Sequence, residues 1–234
     1  MKKTIIFGSL FFFIVAIAIQ KYGRNDVRHE HLPNNDKVIT EKTDNKDDIQ
    51  NIVVADSQHK EYQYKEFSHP TPNIDKSRIN TVEGVILHHT AEPTIERSLE
   101  ILTSLKKKVG THCVIDTDGT RYIMCEPDVV TYHAGYSLLN GKEGCNYFTI
   151  GIEFQGNTLM TPLTEDQINS AIEYLKPLIK KYKIPFDNIV THEMIRQAYK
   201  KKYPRKRCSG KVDITQTEYK RFMNSLKKSV NLKQ

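Results

Sequence analysis

Several patterns that identify protein classes are absent from this 234-residue sequence. It has no internal repeat, so solenoid and propeller architectures are excluded. The four cysteines form no C-x-x-C zinc pattern, although in an exported chain they could form two disulfides. The net charge of +7 is not accompanied by the motifs or the interleaved aromatic residues of nucleic-acid-binding modules. We therefore expect no nucleic-acid partner.

Long hydrophobic runs are also scarce, and the clearest is TIIFGSLFFFIVAIAI at residues 4–19. Two lysines precede this uncharged run, and Ala-Ile-Ala at 16–18 resembles a cleavage site. Residues 1–20 are thus predicted to be either a cleaved signal peptide or an N-terminal anchor that attaches the chain to a membrane through 4–19. Both alternatives predict an exported protein, which is periplasmic, membrane-anchored or secreted.

Residues 21–71 contain few large apolar side chains and many Asn, Asp, Lys and Gln residues. Such a composition cannot bury enough surface to offset the conformational entropy that folding removes. The sequence therefore predicts a polar linker at 21–71 and a single folded domain at 72–234, which we expect to be monomeric.

The folded region alternates strand and helix patterns, which predicts an α/β domain with a central mixed β-sheet flanked by helices. Thr164 and Gln167 form a capping box, as do Thr215 and Glu218, and Pro177 is predicted to kink or end its helix. The predicted strands are 84–90, the hairpin 111–124, 148–154 and 188–192, and the predicted helices are 94–108, 164–182 and 214–228.

Two adjacent histidines, His88 and His89, end the first of these strands. Neighbouring strand positions face opposite sides of a sheet, so at most one of the two serves a site on a given face. His192 ends a later strand, and Cys208 follows in a loop. Two histidines and a cysteine suit zinc, and three protein ligands leave one position for water, as hydrolysis requires. Spacing alone does not select this triple, because the chain has nine histidines.

Six segments between about residues 80 and 215 follow the order found in one enzyme family. They are VILHHTA, HCVIDTDGTRYIM, TYHAGYS, CNYFTIGIEFQG, VTHEMIR and PRKRCSG. In these segments the chain resembles the zinc-dependent N-acetylmuramoyl-L-alanine amidases of the AmpD, phage lysozyme-like and peptidoglycan-recognition-protein group. The resemblance implies hydrolysis of the amide between the lactyl group of N-acetylmuramic acid and L-alanine, with peptidoglycan or muropeptides as the substrate.

The resemblance also implies a Zn²⁺ site and its ligands. These would be His88, His192 and Cys208, the last of which matches the cysteine form of the family. His89 stands at a position that varies in the family, so it is predicted to pack or to support the site.

Further roles follow from the same resemblance. Lys206, two residues before the last predicted ligand, would stabilise the oxyanion that forms when water attacks the carbonyl. Glu153 would act as general base and then as acid toward the leaving amine. His133 would contact the substrate or act as a general acid. Thr111 departs from the phage lysozyme-like and recognition-protein pattern, which has a catalytic tyrosine there, and so favours the AmpD-like mechanism.

Three other functions stay open at this point. The protein could be a non-catalytic peptidoglycan-binding protein, a secreted antibacterial amidase toxin, or an exported zinc hydrolase of another amide. The complete set of presumed ligands favours an enzyme over a binding protein. The sequence does not distinguish intact cell wall from soluble fragments as the substrate.

Overall fold

A computed structural model describes residues 64–206, 208 and 213–231. Within them, the strands and helices follow one another in the order expected of an α/β domain. In chain order the strands are β1 (Glu66–Ser68), β2 (Ile74–Ile79), β3 (Gly84–His89), β4 (Cys113–Ile115), β5 (Arg121–Ile123), β6 (Val129–Thr131), β7 (Leu138–Leu139), β8 (Lys142–Glu143), β9 (Thr149–Phe154) and β10 (Ile189–Thr191), and the helices are α1 (Ile95–Thr103), α2 (Glu165–Tyr182), α3 (His192–Lys202) and α4 (Gln216–Asn231).

The central sheet has six strands in the order β1-β5-β4-β9-β3-β10. Strands β4, β9, β3 and β10 run parallel to one another, β5 is antiparallel to β4, and β1 is parallel to β5. Two small antiparallel pairs, β2–β6 and β7–β8, lie outside this sheet. The predicted hairpin at 111–124 is therefore the β4–β5 pair, and the predicted α/β fold class with a mixed sheet is confirmed.

One face of the sheet carries the main apolar core. Alternate residues of β3 and β9 point to this face and pack against α2 and α4, because successive strand residues face opposite sides. The strand side of this cluster includes Val85, Leu87, Ile150, Ile152 and Phe154, and the helix side includes Ile168, Ala171, Leu175, Phe222 and Leu226.

The other face of the sheet is covered at its two ends and leaves room between them. Helix α1 packs there through Leu99 and Leu102 against Val114, and α3 packs through Ile195 near Ile86. Between these two helices, β3 and β9 present the polar side chains of their alternate positions. The candidate site lies in this gap.

Some element bounds differ from the sequence-based expectation. Strand β1 lies before the predicted domain start at 72. The sequence did not predict it, because its three residues are exposed and show no alternation of apolar and polar side chains. Helix α1 ends at Thr103, so Leu105, which lies within the predicted helix 94–108, is outside the helix and 68% exposed. Helix α2 has the predicted capping box at Thr164 but continues through Pro177 to Tyr182. The four cysteines are free, so the two disulfides that the sequence allowed are not formed.

The predicted signal or anchor at 1–20 and most of the predicted linker lie outside the described residues. Among the helices that are described, none combines the length and the apolar character that a membrane span requires.

Candidate metal and catalytic site

The paired histidines at the end of β3 serve opposite faces of the sheet. His88 points into the gap between α1 and α3 and lines a pocket of about 360 Å³. His89 points to the other side, where its Nδ1 accepts the backbone N–H of Thr158 at 3.1 Å. Both rings are buried, at 1% exposure each. His88 therefore lines the pocket, whereas His89 binds the loop that contains Thr158.

Two further polar groups converge on His88 from later in the chain. His192 is the first residue of α3, directly after β10, and Thr191 caps that helix by accepting the Met194 N–H. Asp213 precedes α4, and its Oδ2 lies 2.6 Å from His192 Nδ1 and 3.8 Å from His88 Nδ1. Candidate ligand atoms of His88, His192 and Asp213 all lie within 4.8 Å of one another.

The chemistry of this cluster fits a divalent metal ion. Asp213 is fully buried, and an ionised carboxylate out of water is costly unless a positive charge compensates it. Two imidazoles and one carboxylate are a common protein ligand set for zinc in catalytic sites. Ligands of a tetrahedral zinc are separated by about 3.3 Å, a value between the two distances that Asp213 makes to the histidines.

Glu153 lies beside this cluster on the neighbouring strand. It is paired in register with His88, so the two side chains are adjacent on the pocket face of the sheet. Its carboxylate is 7% exposed and lines the pocket. Within the described part of the chain, its Oε2 has no hydrogen-bond partner. A buried carboxylate that lines a pocket and has an oxygen without a partner is suited to accept a proton from a bound water.

His133 lies on the far side of His88 from Asp213. Its Nδ1 is 3.2 Å from His88 Nε2, and its Nε2 is 3.4 Å from Thr149 Oγ1. Burial, and then the nearby His88, His112 and His192 rings, hold the pKa of His133 well below its usual range. The ring is therefore neutral at neutral pH, with one nitrogen that donates and one that accepts.

The pocket wall combines apolar and charged side chains. Glu92 lies on the wall and so does Lys108, which gives the pocket one carboxylate and one ammonium besides Glu153. The aromatic and aliphatic residues of the wall are Ile101, Leu102, Val109, Tyr132 and Tyr136. A pocket of this kind suits a ligand with an apolar body and a few charged groups.

Two predicted site residues lie elsewhere. The thiol of Cys208 is 4.0 Å from the carbonyl oxygen of Lys206 in its own loop, and Asp213 takes the place beside the two histidines that was predicted for Cys208. The Lys206 ammonium lies 4.3 Å from the ring centroid of Tyr203 and 5.8 Å from that of Tyr199. This contact with Tyr199 raises the pKa of Lys206. The ligand prediction for Cys208 is corrected, because Asp213 completes the cluster of candidate ligands and Cys208 is not part of it. The predicted role of Lys206 in stabilising the oxyanion stays a prediction.

The sequence contains a pattern that indicates Asp213 as a ligand as well as Cys208. Lys211-Val212-Asp213 has a lysine two residues before a possible ligand, the same offset as Lys206 and Cys208. Asp213 also lies two residues before Thr215, whose side chain caps the start of α4 by accepting the Glu218 N–H. Lys211 lies outside the described residues.

Comparison with known proteins gives one family. A family model described as N-acetylmuramoyl-L-alanine amidase matches residues 78–211, more than half of the chain. The 1,6-anhydro-N-acetylmuramyl-L-alanine amidase AmpD of Enterobacter cloacae is 39% identical over 87 residues, which is 37% of this chain and 46% of AmpD. AmpD of Haemophilus influenzae is 39% identical over 88 residues, 36% of this chain and 46% of AmpD.

These matches span about half the length of the curated relatives. The crystal structure of a selenomethionine AmpD derivative covers 68% of this chain and 93% of its own, with 21% identity and a TM-score of 0.51. That likeness supports the fold described above.

Proposed function

We propose, from the premise that this chain belongs to the N-acetylmuramoyl-L-alanine amidase family, that it hydrolyses the amide between the lactyl group of N-acetylmuramic acid and L-alanine of a stem peptide. The observation that carries the proposal is the buried cluster of His88, His192 and Asp213 with Glu153 beside it in one pocket. These residues supply the two functions that amide hydrolysis needs, a Lewis-acid site and a general base.

We propose Zn²⁺ as the metal, held by His88, His192 and Asp213. When bound, zinc would polarise the scissile carbonyl and lower the pKa of a water molecule. The carboxylate of Asp213 would give the site one formal negative charge, the same charge that a Cys208 thiolate would supply. The backbone N–H of His89 donates to Asp213 Oδ1 at 3.4 Å, which helps to fix the carboxylate.

Glu153 would move the proton in this reaction. Its carboxylate takes a proton from the attacking water as the new C–O bond forms. The same proton then goes to the amide nitrogen as the C–N bond breaks, so the L-alanine amine leaves in a neutral form. The buried position of Glu153 beside His88 in register supports this role.

We assign the oxyanion-stabilising lysine to Lys211 instead of Lys206. The family offset of two residues before the last ligand points to Lys211 once Asp213 is taken as that ligand. A cation at the developing negative charge lowers the barrier for attack on the carbonyl.

Two observations bear on the substrate, namely the names of the relatives and the predicted signal or anchor at residues 1–20. The AmpD relatives are named as amidases of 1,6-anhydro-N-acetylmuramyl-L-alanine. The predicted signal or anchor at 1–20 points instead to wall peptidoglycan or fragments outside the cytoplasm. We propose an exported enzyme, and mass spectrometry of the N-terminus of the mature protein tests whether residues 1–20 are removed.

The activity is tested with muropeptides and the purified full-length protein. We expect release of an intact stem peptide, loss of this release with a chelator, and recovery with added zinc. Glu153→Gln should lower kcat by about 10²-fold or more while the bound zinc is unchanged. Binding of peptidoglycan without any release of peptide would overturn the enzyme and support a non-catalytic binding protein.

A further inference from the structure

A chain of hydrogen bonds runs behind His88, away from the proposed metal position. Its first member is the hydroxyl of Thr149, which donates to the Cys145 carbonyl at 2.7 Å. Since that hydroxyl proton is used, Thr149 Oγ1 is left to accept from His133 Nε2–H at 3.4 Å. His133 Nδ1 then has no proton and accepts from His88 Nε2–H at 3.2 Å.

This order of donors determines which nitrogen of His88 is free. With its proton on Nε2, His88 presents an unprotonated Nδ1, the atom that lies 3.8 Å from Asp213 Oδ2. A metal ligand must offer a lone pair, and the hydrogen bond at the other ring nitrogen decides which one does so. The hydrogen bond to His133 thus determines which nitrogen of His88 carries the proton and which one is free to bind a metal.

We propose that His133 is a positioning residue, which fixes the tautomer and the ring orientation of His88 for metal binding. The inference deepens the proposed function and rests on it, because it needs a metal at the His88, His192 and Asp213 cluster. It replaces the sequence-based expectation that His133 contacts the substrate or acts as a general acid. Both ring nitrogens of His133 already have partners in the protein, so a hydrogen bond to a substrate would have to displace one of them.

A glycine on β9 makes room for the His133 ring. A Cβ atom on Gly151 would lie 2.6 Å from His133 Cγ and 2.7 Å from its Nδ1, closer than such atoms approach. The ring therefore packs directly on the strand backbone, between the register positions of Thr149 and Glu153. Gly151 thus leaves the space in which the His133 ring can reach His88. This observation is independent of the hydrogen bonds.

The main test is zinc affinity measured by competition with a chromophoric chelator, using the full-length protein and its variants. His133→Ala should weaken zinc binding about 10–100-fold, the usual cost of losing a partner of a metal-ligating histidine. His133→Asn should recover much of the affinity, since an amide oxygen can accept from His88 Nε2–H near the Nδ1 position. Tyr132→Phe, at the neighbouring pocket residue, is the matched control and should bind zinc as the wild type does.

A second pair of variants changes Thr149, at the other end of this series of hydrogen bonds. Thr149→Val removes the acceptor for His133 Nε2–H and should lower zinc affinity, whereas Thr149→Ser retains the hydroxyl and should not. Long-range ¹H–¹⁵N NMR of the metal-free protein should show His88 protonated on Nε2 in the wild type and a mixture of tautomers in His133→Ala. Circular dichroism confirms that each variant is folded, and the Thr149 pair decides the matter if His133→Ala does not fold.

The outcomes separate this inference from the proposed function. Unchanged zinc affinity in both His133→Ala and Thr149→Val, with tight binding by the wild type, would overturn the role of His133 and leave the metal site in place. A wild-type protein that binds no zinc would overturn the proposed function and this inference together.

Discussion

At the scale of single residues, metal binding depends on the carboxylate of Asp213. We predict that Asp213→Ala loses more than about 100-fold in zinc affinity, since changes outside the ligand set already cost 10–100-fold. Cys208→Ala is the matched variant in the same loop and should retain zinc and activity, because its thiol contacts the Lys206 carbonyl and not the cluster. Atomic emission measures the bound zinc. Zinc loss in Cys208→Ala, with zinc kept in Asp213→Ala, would reverse the ligand assignment.

The two neighbouring histidines of β3 should respond to mutation in different ways. His88→Ala should lose zinc, because the side chain faces the cluster. His89→Ala should keep zinc and lose about 1–3 kcal/mol of unfolding free energy, because it leaves the buried Thr158 N–H without its acceptor. Zinc analysis and urea unfolding of both variants measure the difference, and equal zinc loss in both would contradict it.

The sequence predicted some site residues well and others poorly, for physical reasons. Strand alternation separates His88 from His89 but does not say which face holds the site, because both faces are apolar nearby. The His88–Glu153 pairing is a register between strands far apart in sequence, which no local pattern contains. Asp213 was missed because Cys208 matches the cysteine form of the family and a thiolate is an equally suitable zinc ligand.

At the scale of the elements, strongly patterned segments were predicted and short or unusual ones were not. The capping box of α2 and the hairpin around Asp118-Gly119 have local signals, and both are present. Helix α3 is not among the predicted helices, and three lysines end it. Its burial comes from contacts such as that of Ile195, which depend on the sheet beneath.

His112 joins two of these elements and should make stability depend on pH. Its Nδ1 accepts the Gly151 N–H of β9, and its Nε2 lies 2.9 Å from the Val129 carbonyl of β6. Burial lowers the pKa of His112 to about 4, so the unfolded chain binds its proton at a higher pH than the folded chain does. The unfolding free energy should therefore fall as the pH falls from about 6.5 to 4, by up to about 3 kcal/mol.

Urea unfolding at several pH values measures this loss. His112→Asn keeps an acceptor near the Nδ1 position but cannot titrate, so its stability should fall less steeply than that of the wild type over the same pH interval. The variant starts from a lower stability, because the Val129 carbonyl loses its donor. Parallel pH dependences in the two proteins would show that His112 does not contribute.

At the scale of the whole domain, the sheet separates stability from chemistry. Residues of β3 and β9 that face α2 and α4 build the main core, while their alternate residues face the pocket between α1 and α3. A change on the pocket face therefore removes little of the main core. This separation explains how His88 and Glu153 can stay buried and polar in a strand pattern that is otherwise apolar.

The basic end of α3 lies next to this pocket and should attract an anionic substrate. Tyr136, on the pocket wall, stacks on Tyr199 of α3 with ring centroids 5.6 Å apart. Exposed cations follow at Lys200, Lys201 and Arg205. Reversing these three charges to Glu should raise KM for a stem peptide with free carboxylates several-fold at low salt, with kcat unchanged. The effect should shrink at high ionic strength, because salt screens exposed charges.

The matched control reverses three exposed cations on the opposite face of the sheet, Lys180, Lys183 and Lys227, and gives the same net charge. If the attraction comes from the position of the α3 cations, this control should leave KM near the wild-type value at every salt concentration. A similar rise in both triple variants would instead assign the effect to the net charge of +7. An unchanged KM at low salt in the α3 variant would show that the basic end does not guide the substrate.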